Sequence, residues 1–310
     1  MTRYPRPVPE RTTDKRRRPW LRGVSATLVL VALGAYAWAQ FGPDPTDEPH
    51  CAVAGADGET AMTLGLAQAA NAATIEAVAS SRGLPERAVT IAIATAMQES
   101  SLRNLDYGDR DSLGLFQQRP SQGWGTPEQV TDPVYAAGAF YERLVEIEGY
   151  EEMPLTVAAQ EVQRSAFPDE YAKHEEEAAL LAGALTGREA AALSCVWPVG
   201  ERAERAEAAE RAEGGEPVGG PDEVHALMVR EFGEGVRPLG GEGSVTVPLD
   251  EGGETSRGWE LAHWAMAHSE ELGIERIAYG DHVWDARSAA QGWRENDEES
   301  AADEVRLALL

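Results

Sequence analysis

Glu99 closes the apolar run Val89 to Met97, and fifteen residues beyond it stands Gly114-Leu115-Phe116-Gln117. A carboxyl group at the end of a buried helix loses hydration, which disfavours its ionised form. The negative end of the helix dipole acts in the same sense. Both effects keep a proton on the group near neutral pH, as a general acid for glycosidic cleavage requires. Between 100 and 131 the chain has no sustained period and carries Gly108, Gly114, Gly123, Gly125, Pro120 and Pro127, so it can wrap a cleft beside the acid. Tyr107, Phe116, Gln117, Gln118 and Trp124 in that stretch suit stacking on sugar rings and hydrogen-bonding their substituents. Asp106, Asp109 and Asp111 are candidates for the second carboxylate of a hydrolase; a polar loop surface or a cation-binding turn is the plainer account of them. The EF-hand pattern is missing, so no calcium site, no other metal and no cofactor are expected there.

Helices must position these groups. Leu66 to Arg82 is alanine-rich and stops at Gly83, while Pro85 opens the run that ends in Glu99. That second helix is apolar almost all round, which predicts a central, buried place. Asp132-Pro133 reads as an N-cap followed by proline at the first helical position, with Val134, Ala137, Tyr141, Leu144 and Val145 as the inner stripe. A short helix is expected over Leu155–Gln163, and a last one from Pro168. That one places Tyr171, His174, Ala178, Leu181 and Leu185 on one face, with His174 read as a core histidine.

The chain has 310 residues and a formal charge of −26, from 53 acidic and 27 basic side chains. Residues 1–22 alone are basic, with eight Arg or Lys, so the remainder is more acidic still. Such a body has no phosphate-neutralising face, and nucleic acid is excluded as a partner. Gly23 to Ala39 is uncharged, preceded by Lys15 to Arg18 and followed by acid. This asymmetry predicts a transmembrane or signal helix with the body outside the cytoplasm. A retained anchor would make the protein single-pass in the cell membrane; cleavage after Ala39, in an A-x-A context, would make it secreted. Cys51 and Cys195 are the only cysteines, and an oxidising compartment favours a bridge between them over two buried thiols. The expected order is a basic tail (1–22), the apolar helix (23–39), a tether (40–59), a helical domain (60–198), a charged and glycine-rich linker (199–220) and a small α+β domain (221–310).

The Glu99-Ser100 pair and the later Gly-Leu-x-Gln resemble the soluble lytic transglycosylases and goose-type lysozymes. Ser112-Leu113-Gly114-Leu115-Phe116-Gln117 is similar to their S-x-x-G-A-x-G-L-M-Q segment in shortened form. Ala158-Ala159-Gln160 is similar to their A-Y-N motif, and Phe167-Pro168-Asp169-Glu170-Tyr171 to P-E-T-x-x-Y. Asp106 to Gln129 further resembles cell-wall-associated proteins of high-GC Gram-positive bacteria. The resemblance implies a mainly α lysozyme-like domain acting on peptidoglycan glycan strands. Glu99 takes the catalytic place, and Ser112, Gln117, Gln118, Trp124, Gln160 and Tyr171 are the substrate-binding candidates. The alanine after the first glycine, the methionine and the tyrosine-asparagine of the family patterns are replaced here. A catalytically silent wall-binding or scaffold protein with a lysozyme-like fold is therefore the alternative.

Past residue 220 the order is a helix (Glu223–Phe232), a strand-like Ser244–Pro248, a helix (Trp259–Leu272), a strand-like Arg276–Tyr279 and a closing apolar run from Glu304. Phe232-Gly233, Trp259 to Ala265, Val283-Trp284, Gly292-Trp293-Arg294 and Asp303-Glu304-Val305 resemble the zinc D-alanyl-D-alanine carboxypeptidases. The relatives' H-x-x-G-x-A-x-D and D-H-V-H ligands are absent. His263, His268 and His282 fall at other positions and read as packing or surface residues, so the resemblance implies a domain without its metal.

Overall fold

The computed structural model describes residues 48–165, 168–200, 219–250, 255–296 and 302–310. The basic tail, the apolar run 23–39, the tether up to 47 and the charged spacer 201–213 lie outside the described residues. Within them no helix is long and apolar enough to cross a membrane.

The first strand falls where a tether was expected. Residues 48–59 hold β1 (His50–Ala54), and β2 (Thr60–Leu64) follows. β1 lies between β2 and the later β3 (Leu193–Val196) in an antiparallel sheet of order β2-β1-β3. Cys51 and Cys195 sit directly opposite one another in the β1–β3 register and are disulfide-bonded across 144 residues of chain. The alternating burial of β1 explains why it pairs: Cys51 and Val53 face the core while His50, Ala52 and Ala54 face outward.

Helices fill the sequence between these strands. α1 (Leu66–Ser81) buries a run of small alanines, and α2 (Glu86–Ser100) is buried from Ala88 through Met97. α2 stops because Ser101 and Leu102 both adopt left-handed backbone (φ 55° and 56°), returning their N–H groups to Met97 and Ala96 carbonyls. Leu102 then anchors the exit in the core. After the irregular segment come α3 (Pro127–Val130) and α4 (Pro133–Leu144). Asp132 Oδ1 accepts from the Val134 and Tyr135 N–H groups, as its N-cap position predicts. Of the expected α4 stripe, Ala137, Tyr141 and Leu144 are buried, whereas Val145 is exposed and Phe140 takes its share of the core. α5 (Leu155–Gln163) has its expected span. The last helix begins as a 3-10 turn, Pro168–His174, and becomes α-helical as α6 (Glu175–Leu185).

The remaining elements form a second sheet and its helices. α7 (Pro221–Phe232) leads to strands β4 (Leu239–Gly241) and β5 (Ser244–Pro248), then to α8 (Thr255–Ala267) and the short α9 (Ser269–Leu272). β6 (Ile274–Tyr279), β7 (His282–Asp285), β8 (Arg294–Glu295) and β9 (Glu304–Leu309) complete an antiparallel sheet of order β4-β5-β9-β6-β7-β8. The chain is thus a mixture of helices and two antiparallel sheets.

The boundary near residue 220 is one of composition, and packing continues across it. Glu48–Leu310 is one compact unit. The cause is α8, which is buried on every face from Gly258 to Ala267. One side lies on β6 and β9; the other lies on α1, α6 and β3. Polar ties close the seam. His263, fully buried, bonds the Ala184 carbonyl through Nδ1 at 2.6 Å and accepts from the Leu193 N–H through Nε2 at 3.5 Å. Burial lowers its pKa to about 4, so the ring is neutral there. Trp293 Nε1 donates to the Leu193 carbonyl, and Trp197 Nε1 to Ser269 Oγ.

Candidate functional site

The site is built where α2 ends against the irregular segment. Ser100 Oγ donates to the Leu115 carbonyl at 2.7 Å and so ties the helix end to the turn carrying Gly114 to Gln117. That turn is a tight reversal in which Leu113 and Gln118 exchange backbone hydrogen bonds. Glycine is required at its start, because Gly114 has φ 77° and a Cβ there would lie 2.0 Å from the Val130 carbonyl oxygen.

Glu99, half-buried, faces this turn's neighbourhood. Tyr171 Oη donates to Glu99 Oε1 at 2.6 Å. Gln163 hydrogen-bonds the same carboxyl group, and its Nε2 also donates to the Phe116 carbonyl at 2.7 Å. Burial pushes the Glu99 pKa above its ordinary value, while the Tyr171 and Gln163 bonds pull it back by favouring the anion. Burial, and then the neighbouring Glu99 charge, raise the Tyr171 phenol in turn, so it stays a donor. Gln160 Nε2 bonds the Ser165 carbonyl, and the Ser165 side chain bonds Tyr171. The acid therefore sits at the end of a connected polar chain rather than free in solvent. Such a carboxyl group can hold a proton, deliver it, and remain as a stabilised anion afterwards.

The candidates divide. Glu99, Tyr171 and Gln160 belong to this network. Trp124 lies nearby in the lining of a cavity of about 680 Å3 that also includes Gln163. Gln117 stands in left-handed backbone (φ 47°) at the turn, its Nε2 donating to the Tyr107 and Gly114 carbonyls. Gln118 is turned inward instead: it is fully buried and donates to the Ala136 carbonyl of α4 at 2.9 Å. Ser112 is also buried. Both brace the loop. Asp111 is a brace too, accepting from Arg119 Nε and the Ser121 N–H, and the Ser121 bonds hold its carboxyl below the usual range. Asp106 and Asp109 are exposed. His174, half-buried, lies 3.2 Å from Gln98 Oε1, and burial lowers its pKa.

Sequence reading missed Gln163 and Arg143. The signal for Gln163 was present, since it lies one helical turn after Gln160 and shares its face. Nothing local marks Arg143, whose guanidinium lies 3.3 Å from the Trp124 ring centroid.

Beyond residue 220, His263 and His268 are buried in packing and His282 is half-exposed beside Asp281. Among the described residues no group of three or more His, Cys, Asp or Glu is placed to hold a metal ion. No curated protein matches the chain. Residues 228–305 match the family described as VldE, C-terminal domain, a similarity that spans α8 and most of the second sheet and leaves the Glu99 network outside it.

Proposed function

We propose that the chain is an extracytoplasmic peptidoglycan-active protein, with a lysozyme-like helical part that cleaves the bond between N-acetylmuramic acid and N-acetylglucosamine. The observation that carries this reading is the Glu99 carboxyl, whose proton affinity is raised by burial while two side-chain donors stand ready for its anion. In the single-carboxyl route, protonated Glu99 gives its proton to the glycosidic oxygen, and the bond from that oxygen to C1 of the muramic acid breaks. The C6 hydroxyl oxygen of the same sugar then bonds to C1, and the Glu99 anion takes the hydroxyl proton. The products are a 1,6-anhydro end and a free sugar hydroxyl, and the acid is regenerated. Desolvation of the site favours the first step; the Tyr171 and Gln163 bonds favour the state between the two.

The Cys51–Cys195 bridge supports an oxidising compartment, and the apolar run 23–39 would fix the body to the outer face of the membrane. A wall-binding protein without turnover is the second reading. It is favoured by the inward commitment of Ser112 and Gln118, which leaves fewer groups for a substrate. Incubating the full chain with purified cell walls and analysing the soluble products by mass spectrometry separates the two. Anhydromuramic ends support the proposed route, reducing ends support a hydrolase, and walls bound but uncut support the second reading.

A further inference from the structure

The cavity beside Gln163 holds two arginines in an unusual setting. Acidic side chains outnumber basic ones 53 to 27, and arginines elsewhere, such as Arg87, Arg119 and Arg257, pair closely with carboxylates. Arg143 and Arg164 line the same cavity, as do Glu146 and Glu161, yet among the described residues neither arginine forms an ion pair. The charge of Arg164 acts on Arg143 instead. After burial, the largest influence on Arg143 is the charge of Arg164, which lowers its pKa, ahead of the attraction from Glu146. Two guanidinium groups within Coulomb range repel, and an anion between them removes that repulsion.

The geometry holds Arg143 in place and sets Arg164 at the cavity rim. Arg143 stands in the last turn of α4, its guanidinium over the Trp124 ring at 3.3 Å and its Nη2 donating to the Gly123 carbonyl at 3.4 Å. Arg164 caps α5 in left-handed backbone (φ 53°), immediately after Gln163. Trp124 is itself buried, with a guanidinium over its ring, so its role is to orient Arg143 rather than to stack on a sugar. Gln163 forms part of the cavity wall and also bonds the Glu99 carboxyl, so one side chain links the arginines' cavity to the acid. A volume of about 680 Å3 accommodates a sugar ring with its substituent.

We propose that this cavity is a carboxylate subsite, in which Arg143 and Arg164 together bind an acidic substituent of the sugar presented to Glu99. This rests on the glycan-cleaving reading and adds its specificity: a ring bearing a carboxylate is selected over a neutral one. The planar fork of each guanidinium suits two-point contact with a carboxylate. On the proposed substrate that group is either the lactyl carboxylate of the muramic residue or a carboxylate of a peptide attached to it.

The test uses the full chain and three soluble probes observed by ligand NMR. N-acetylglucosaminyl-N-acetylmuramic acid carries the lactyl carboxylate, chitobiose lacks it, and the dipeptide-linked disaccharide moves the charge to the peptide. The expected result is preference for a charged probe over chitobiose, by about tenfold or more, with loss of that preference in Arg164→Gln and Arg143→Gln. Whichever charged probe binds better identifies the source of the carboxylate. Arg164 is exposed, so its variant also guards against a folding artefact, checked by an unchanged thermal melt. Equal binding of all three probes, or a preference that survives in Arg164→Gln, overturns the proposal. Whole walls separate this from the parent reading. If native and carboxyl-amidated walls are cut at equal rates, cleavage stands and the carboxylate subsite fails. If the charged probe is preferred through the arginines but walls are never cut, the subsite stands and cleavage fails.

Discussion

Among the described residues, carboxyl groups drawn away from solvent occur at Glu99 and at a seam beside α8, and they are arranged for different ends. Glu99 has one phenol and one amide as partners, and the amide, Gln163, lines a cavity. Glu76, Glu231 and Glu260 lie at the seam where α1, α7 and α8 meet, and Glu76 and Glu231 bond side chains of the facing helices. Glu231 accepts from Thr74 Oγ1 at 2.8 Å and from Trp264 Nε1 at 2.6 Å, with His268 Nε2 3.7 Å away. Arg257 bonds Glu260 and reaches across to Ser80. The Glu76 pKa is raised well above its ordinary value, first by burial and then by Glu260, to which it is hydrogen-bonded. A perturbed carboxyl group is therefore not by itself a sign of chemistry. At the seam the bonds of Glu231 tie α7 to α1 and α8, whereas at Glu99 the partners are a phenol and an amide that itself lines a cavity.

The largest separation of the two regions is expected from one substitution in each. Glu99→Gln removes the transferable proton and keeps shape, so wall cleavage should fall at least a hundredfold with an unchanged melting temperature. Glu260→Gln, in contrast, should leave cleavage within a few-fold of the parent. A mass-spectrometric assay of soluble wall fragments checks both, and a Glu99→Gln variant that retains a tenth of the activity removes the catalytic assignment.

Reducing the Cys51–Cys195 bridge acts on stability alone. A closed loop of this length contributes about 5 kcal/mol in the chain-entropy treatment. Denaturant midpoints with and without reductant measure it; an unchanged midpoint would show that strand pairing suffices. Glu231→Leu should follow, because it strands the buried Trp264 indole without an acceptor, at about 1–3 kcal/mol for the orphaned donor. A melt as high as the parent's would mean that the seam is not held this way.

Opposite pH signs should come from two buried groups packed at α8, Glu76 and His263. The Glu76 contribution is complete below its unfolded value of 4.5 and is lost as pH rises through the raised folded value. Glu260, Glu231 and Arg257 face it from the neighbouring helices, and Tyr141 lies close enough to feel its charge. The His263 contribution is complete above 6.5 and is lost as pH falls through about 4. Melting curves over an acid-to-alkaline series should thus decline on both sides, and Glu76→Gln should flatten the alkaline side only. The smallest effect belongs to Tyr171→Phe. Losing that donor raises the Glu99 pKa further, so the alkaline limb of the cleavage profile should move upward, with little change on the acid side.

The helical frame was legible because its signals are local. Asp132-Pro133, the alanine-rich Leu66–Arg82 stretch and the buried run before Glu99 mark helices through capping, propensity and the period of their apolar residues. β1 was not legible: five residues in a polar stretch carry little periodicity, and they form a strand only because Leu193–Val196 and Thr60–Leu64 lie on either side. The same limit hid the roles of Gln118 and Trp124. Their residue types suit sugar contacts, but Ala136 and Arg143, distant in sequence, use them first.

By itself the sequence determined the helices, the acid at the end of one of them, and the pair of cysteines, since each depends on neighbours a few residues away or on composition. Tertiary structure alone decided which polar groups meet. Glu99 meets Tyr171 across 72 residues and Arg143 approaches Arg164 only after α4 and α5 have packed. α8 binds the two sheets' territories into one body because all of its faces are buried. Hydrogen bonds and charges act over a few ångströms, and a linear sequence carries no measure of that distance until the core has closed.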